Sequence, residues 1–264
     1  MKKIMCTLAA AVLAVSMLAG CNGNTESNTK KIASADDLAT AKIAVQEGTT
    51  GDMLVSEDYP DATISRFKSA LDAGMDLSNG KVDAVVLDEL PAKKIVEKND
   101  KLVILPEELT KEEYAIAIKK GNTDLVEKVN KALADMKADG TFDEISNAWI
   151  NGDEAAQAKL AEKEEPTGAE TLIMGTNASF PPFETRDDAG NVVGFDVEMT
   201  KEIARRLGMA FQVEDMNFDS LPVAVDSGKI TMAVAGMTVT EERKENMEFS
   251  DGYYTSTQVI ITQK

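Results

Sequence analysis

Arg243 and Asp88 are charged residues whose surroundings set them apart from the rest of a heavily charged chain. Arg243 closes the run Ala235-Gly236-Met237-Thr238-Val239-Thr240-Glu241-Glu242-Arg243. A guanidinium offers donors in a planar fork and can clamp a carboxylate with two parallel hydrogen bonds, which lysine cannot do. Asp88 ends the apolar run Asp83-Ala84-Val85-Val86-Leu87, and Gly48-Thr49-Thr50 should open a helix whose first N–H groups favour an anion. Each also has an ordinary role. Arg243 could be a solvated charge in the stretch EERKEN, Asp88 a helix N-cap, and Phe180 and Phe218 simple core residues.

Much other chemistry is excluded by residues the chain lacks. There is no histidine, so histidine-ligated zinc, a Ser-His-Asp triad and a histidine general base are ruled out. The two cysteines are Cys6 and Cys21. A formal net charge of −18 argues against nucleic acid, whose binders carry basic patches. No cofactor is expected.

The elements that must carry these residues alternate. Residues 1–20 read as a signal peptide: Lys2 and Lys3, then an apolar stretch too short for a comfortable permanent span. It ends in Leu18-Ala19-Gly20-Cys21, which resembles a bacterial lipobox with Cys21 as the lipidated residue. Residues 21–31 then form a flexible tether. From residue 32, short β-branched runs alternate with amphipathic stretches, which predicts an α/β protein with mainly parallel sheets. Residues 122–140 form the clearest helix, with Leu125, Val126, Val129, Leu133 and Met136 at helical spacing and Gly140 as its stop. Residues 153–170, rich in Ala, Glu and Lys and broken at Pro166-Thr167-Gly168, read as a linker.

Several segments together resemble the amino-acid-binding family of extracytoplasmic solute receptors, the two-lobed "Venus flytrap" proteins of polar amino acid ABC importers. They are Gly175-Thr176-Asn177-Ala178-Ser179-Phe180-Pro181-Pro182-Phe183-Glu184, Gly194-Phe195-Asp196-Val197-Glu198, the run ending at Arg243 with Phe249-Ser250-Asp251-Gly252-Tyr253-Tyr254, Val45-Gln46-Glu47-Gly48-Thr49-Thr50, the run ending at Asp88, and Thr141-Phe142-Asp143-Glu144-Ile145 through Trp149. The resemblance implies a two-lobed periplasmic-binding-protein fold and capture of a free amino acid for an ABC permease. The enzyme alternative is a dehydratase-like activity on the same fold, and the other alternative is an amino-acid sensor. The implied protein is a monomer, held on the extracytoplasmic face of the cell membrane by its lipid alone.

The family's order of segments is swapped here. Its usual chain begins with the segment here at Thr171, crosses a hinge after residues 259–261, continues with the segment at Ser34, and ends with the helix holding Trp149. The sequence therefore looks circularly permuted. The division expected is 32–108 as the smaller lobe, 109–152 and 171–264 as the larger, and 153–170 joining the usual termini. One hinge crossing is expected to be cut, with Lys31 and Lys264 as loose ends.

By the same resemblance, Arg243 holds the ligand carboxylate with N–H groups at Thr50 and Thr238, and Thr49 is a further ligand-binding residue. Asp88 takes the ammonium with the Gly236 carbonyl and the Thr238 hydroxyl. Phe180 and Phe218 flank the aliphatic part, and Asn177 and Gln46 face its side chain. Many relatives carry an acid where Asn177 stands. A neutral amide suits a polar uncharged side chain, so a glutamine-like ligand is favoured and a basic amino acid comes next.

Overall fold

The computed structural model describes residues 30–264, so the lipobox and most of the expected tether lie outside the described residues. The small lobe runs through β1 (Lys42–Gln46), α1 (Thr50–Asp58), β2 (Thr63–Phe67), α2 (Ala70–Ser78), β3 (Ala84–Asp88), α3 (Glu89–Glu97) and β4 (Leu102–Glu108). The large lobe opens with β5 (Glu112–Tyr114), β6 (Ala117–Lys119), α4 (Thr123–Asp139) and α5 (Thr141–Trp149). After α6 (Glu154–Ala161) come β7 (Thr171–Thr176), the hairpin strands β8 (Thr185–Arg186) and β9 (Val192–Val193), α7 (Phe195–Leu207) and β10 (Ala210–Asp215). Then follow α8 (Leu221–Asp226), β11 (Met232–Ala233), α9 (Glu241–Asn246), β12 (Met247–Phe249), β13 (Tyr254–Ser256) and β14 (Gln258–Gln263).

Two mixed five-stranded sheets result, ordered β2-β1-β3-β14-β4 and β10-β7-β11-β6-β12. The first three strands of each are parallel, and the fourth runs antiparallel to both its neighbours. That reversed strand has the same origin in both sheets: β14 enters the small lobe from the large one, and β6 enters the large lobe from the small one. Helices cover both faces of the small sheet, as parallel strands require. Alternation along β1 sends Ile43 and Val45 to one side and Ala44 to the other, and β3 does the same with Ala84 and Val86 against Val85 and Leu87.

The domain boundaries need two corrections. The stretch 171–264 does not stay in one lobe, because β14 pairs with β3 and β4 at the interior of the small sheet. Val259, Ile260 and Ile261 are apolar on both faces, and only an interior strand covers both; all three are buried. Nor is a hinge crossing cut. The chain crosses between β4 and β5 and again between β13 and β14, and β5 pairs with β13 as a two-stranded ribbon. Leu109 N–H donates to the Gln258 carbonyl and Gln258 N–H to the Thr110 hydroxyl, so the crossings run side by side. Lys30 N–H donates to Asp83 Oδ1, and Thr262 Oγ1, on β14, donates to the Asp83 carbonyl. Both ends of the described chain therefore rest in the small lobe, away from the hinge.

The linker is ordered against the large lobe. Asp153 caps α6 by accepting from Ala155 and Ala156 N–H, Leu160 is buried, and Lys159 and Lys163 both pair with Glu144 of α5.

Candidate functional site

Parallel strands deliver their C-terminal ends to a common edge, where ligands of open α/β sheets bind. Here the edges of the two sheets face each other across the cleft. Gln46, Thr49 and Thr50 follow β1, and Asp88 ends β3; Asn177, Phe180 and Glu184 follow β7; Phe218 follows β10; Ala235, Gly236 and Thr238 follow β11, and Arg243 lies on α9. All twelve line one cavity. The ten residues singled out in the sequence are thus brought together, and Glu184 and Ala235 join them.

One end of this cavity is built for charge. Arg243 is 7% exposed. Its Nη1 donates to the Thr238 carbonyl at 2.7 Å and its Nη2 crosses the cleft to the Gly48 carbonyl at 3.0 Å. The guanidinium lies 5.5 Å from the Phe218 ring centroid, a cation–π distance. Burial lowers its pKa, while Glu112, Asp88 and Glu242 act the other way. Thr49 caps α1, accepting from Asp52 N–H. Asp88 is 3% exposed, and the Tyr114 and Ser256 hydroxyls both donate to its Oδ1. Burial, and then the charge of Glu112, push its carboxyl up to about 7.

Close backbone approach needs glycine at two points. Gly236 has φ +56°, and a Cβ there would lie 2.7 Å from the Phe180 ring. Gly48 has φ +78° and lies where a Cβ would meet Asp219 Cβ at 3.1 Å across the cleft. The lobes are closed on each other at this point. Lys68 adds ion pairs to Glu47 at 2.7 Å and Asp219 at 2.9 Å. With its side chain 48% exposed, such a pair is screened by solvent and contributes little.

The other end is neutral and oddly unsatisfied. Asn177 Nδ2 donates to the Met216 carbonyl and Asn177 Oδ1 accepts from Gln46 Nε2 at 2.9 Å across the cleft. That chain fixes the orientation of both amides and leaves Gln46 Oε1 buried without a partner. Both Glu184 oxygens are also buried without a donor. Burial, and then the Asp196 charge, push Glu184 well above the usual carboxylate range. Asp196 is itself lifted to about 6 by burial, against the Gly236 N–H and Tyr253 hydroxyl that donate to its Oδ2. Glu184 thus keeps a proton that Asp196 can accept. Among the described residues, that leaves Gln46 Oε1 and the other Glu184 oxygen as the unmet acceptors of the cavity wall.

A family model, "Bacterial extracellular solute-binding proteins, family 3", matches residues 15–152 and 172–264. The chain belongs to this family. Family 3 is a family of solute-binding, non-enzymatic proteins. The chain is 44% identical over 98 residues to the arginine-binding extracellular protein ArtP of Bacillus subtilis, an alignment covering 37% of this chain and 38% of that one. With the ABC transporter glutamine-binding protein GlnH of the same species it shares 32% over 126 residues, 47% of this chain and 46% of the relative. The chain therefore spans less than half the length of these relatives. A solved arginine-bound, truncated arginine-binding protein of T. maritima is 52% identical over 28% of this chain and 35% of its own, with a TM-score of 0.28.

Two residues that the sequence did not mark stand directly behind the site. Tyr114 holds Asp88, and Glu112, 7% exposed, accepts from the Thr50 and Thr238 hydroxyls. Their alternation with the exposed Glu113 is the period of a half-buried strand, a signal short of specifying a role.

Proposed function

We propose that this family 3 protein is the receptor of an ABC importer and closes its lobes on a free polar α-amino acid. Arg243, with N–H groups at Thr50 and Thr238, takes the carboxylate; Asp88, Thr238 and the Gly236 carbonyl take the ammonium. Phe180 and Phe218 flank the aliphatic carbons, while Gln46 and Asn177 face the side chain. The observation that carries the ligand class is the pair of unmet acceptors at the neutral end, Gln46 Oε1 and the Glu184 oxygen left over once the other gives its proton to Asp196. A side chain ending in several N–H donors would satisfy them. Arginine does so best and glutamine with fewer donors, which reverses the order suggested by Asn177 alone. Cys21 in its lipobox-like setting supports a lipid anchor on the extracytoplasmic face, with the receptor acting as a monomer.

Circular permutation belongs to the same reading. Two things support it: the family match falls in two stretches separated by α6 and the following linker, and Lys30 and Thr262 meet at the same Asp83. A thermal-shift screen of the mature protein against the twenty amino acids tests the reading. A ligand at a thousand times its Kd adds about 4 kcal/mol. Arginine should give the largest shift; no shift with any amino acid would overturn the receptor function.

A further inference from the structure

We infer that Glu112, which does not line the cavity, sets its selectivity for a ligand bearing an α-ammonium group by orienting the Thr238 and Thr50 hydroxyls. The inference rests on the amino-acid reading above and extends it to a residue outside the cavity wall.

Glu112 sits on β5, in the hinge ribbon, behind the charged end of the cavity. Its Oε2 accepts from Thr238 Oγ1 at 2.6 Å and from Thr50 Oγ1 at 2.7 Å, and its Oε1 accepts from Thr110 Oγ1 at 2.9 Å. Thr50 belongs to the small lobe and Thr238 to the large one, and both line the cavity. Gln258 Nε2 approaches Glu112 Oε2 at 3.4 Å and donates to Thr50 Oγ1 at 3.2 Å.

A hydroxyl has one hydrogen and two lone pairs. Once its hydrogen is committed to a carboxylate, it can only accept from anything else. Glu112 therefore turns Thr238, and Thr50 with its remaining lone pair, into acceptors. With Asp88 they present acceptors only, which suits an ammonium with three N–H donors and disfavours a donor-free or anionic group in its place. Without an acceptor behind them, the same hydroxyls would be free to turn either a hydrogen or a lone pair into the site, and the ammonium would have to order them itself. Glu112 is a positioning residue: it acts through the two threonines. Because its partners come from both lobes, the arrangement is complete only when the cleft is closed.

The test compares two probes by titration calorimetry, L-arginine and its desamino analogue 5-guanidinopentanoate, on wild type and Glu112→Leu. Arginine affinity should fall roughly tenfold or more, the scale of one hydrogen bond to a charged group, while the analogue changes by less than about twofold. Glu112→Gln, which keeps one acceptor, should recover part of the loss. Should the leucine variant not fold, Thr238→Val should show the same ammonium-selective loss, and adding Glu112→Gln to it should cost little more. Equal losses on both probes, or none on arginine, would overturn the role of Glu112. A wild type that binds neither arginine nor glutamine would instead overturn the amino-acid reading beneath it.

Discussion

The two ends of the cavity are finished to different degrees. At the charged end, Arg243, Asp88 and Thr238 already hold protein partners. At the neutral end, Gln46 and Glu184 are aimed inward with nothing to accept from. An end that meets the same zwitterion in every ligand can be wired in advance. An end that must tell one side chain from another holds its unmet capacity for the ligand to fill, and the cost of leaving it unmet is the source of discrimination. Affinity should therefore be concentrated at the first end and preference at the second.

Arg243→Ala should separate the two most strongly. Removing one partner of a buried charged pair costs about 2–5 kcal/mol, and here it should do so alike for arginine and glutamine. Near-normal affinity in calorimetry would take Arg243 out of the site, and a loss confined to one ligand would erase the distinction between the ends.

Acid should act at the charged end next. Asp88 is raised to about 7 in the closed protein without ligand, well above the 3.8 of an exposed aspartate, so the folded state holds its proton more tightly than the unfolded one. That contribution to stability is present at low pH and is lost as pH rises toward 7. Asp196, raised to about 6, acts in the same direction. An ammonium needs the ionised Asp88, so binding expels the proton. Affinity should weaken by up to about tenfold for each pH unit below 7 and level off above it. Thermal shifts measured from pH 5 to 8 check this, and Asp88→Asn should flatten the profile while weakening binding throughout. A pH-independent wild type would remove the ammonium from Asp88.

Glu184→Gln should have the smallest effect and the sharpest one. It keeps an acceptor for the cavity and a donor for Asp196, but it cannot become anionic. Arginine should lose roughly 1.5–3 kcal/mol, the range for a hydrogen bond to a charged group, with glutamine little changed. Equal losses for both ligands would show that Glu184 supports the fold of the neutral end without reading the side chain.

The ten predicted site residues were legible because each follows a strand end and sits in a motif with few ordinary uses. Glu184 was visible as an acid after Pro181-Pro182-Phe183, but a carboxylate with no basic neighbour gives no hint of complete burial. Glu112 was hidden among Lys111, Glu112 and Glu113, where charge suggests solvent. Element types were mostly plain: α4 runs from its Asn122 cap to Gly140 at φ +84°. Residues 114–118, an apolar run in the sequence, divide between β5 and β6 because the chain passes there from the hinge ribbon into the large sheet. The fate of β14 was the largest gap. Val259, Ile260 and Ile261 say that a strand is buried on both faces, but nothing local says in which sheet.

That placement of β14 decides how the molecule would bear a mechanical load. Residues 112–256 are threaded between β4 and β14 as one long excursion from the small sheet. A pull between Lys30 and Lys264 would load Asp83, β3, β14 and β4, and would reach neither the ribbon nor the cleft until β14 had peeled from its neighbours. The larger lobe hangs in parallel with the line of force, shielded by five residues of β14 pairing with β3. Traction on the small lobe would therefore leave the binding cavity slack.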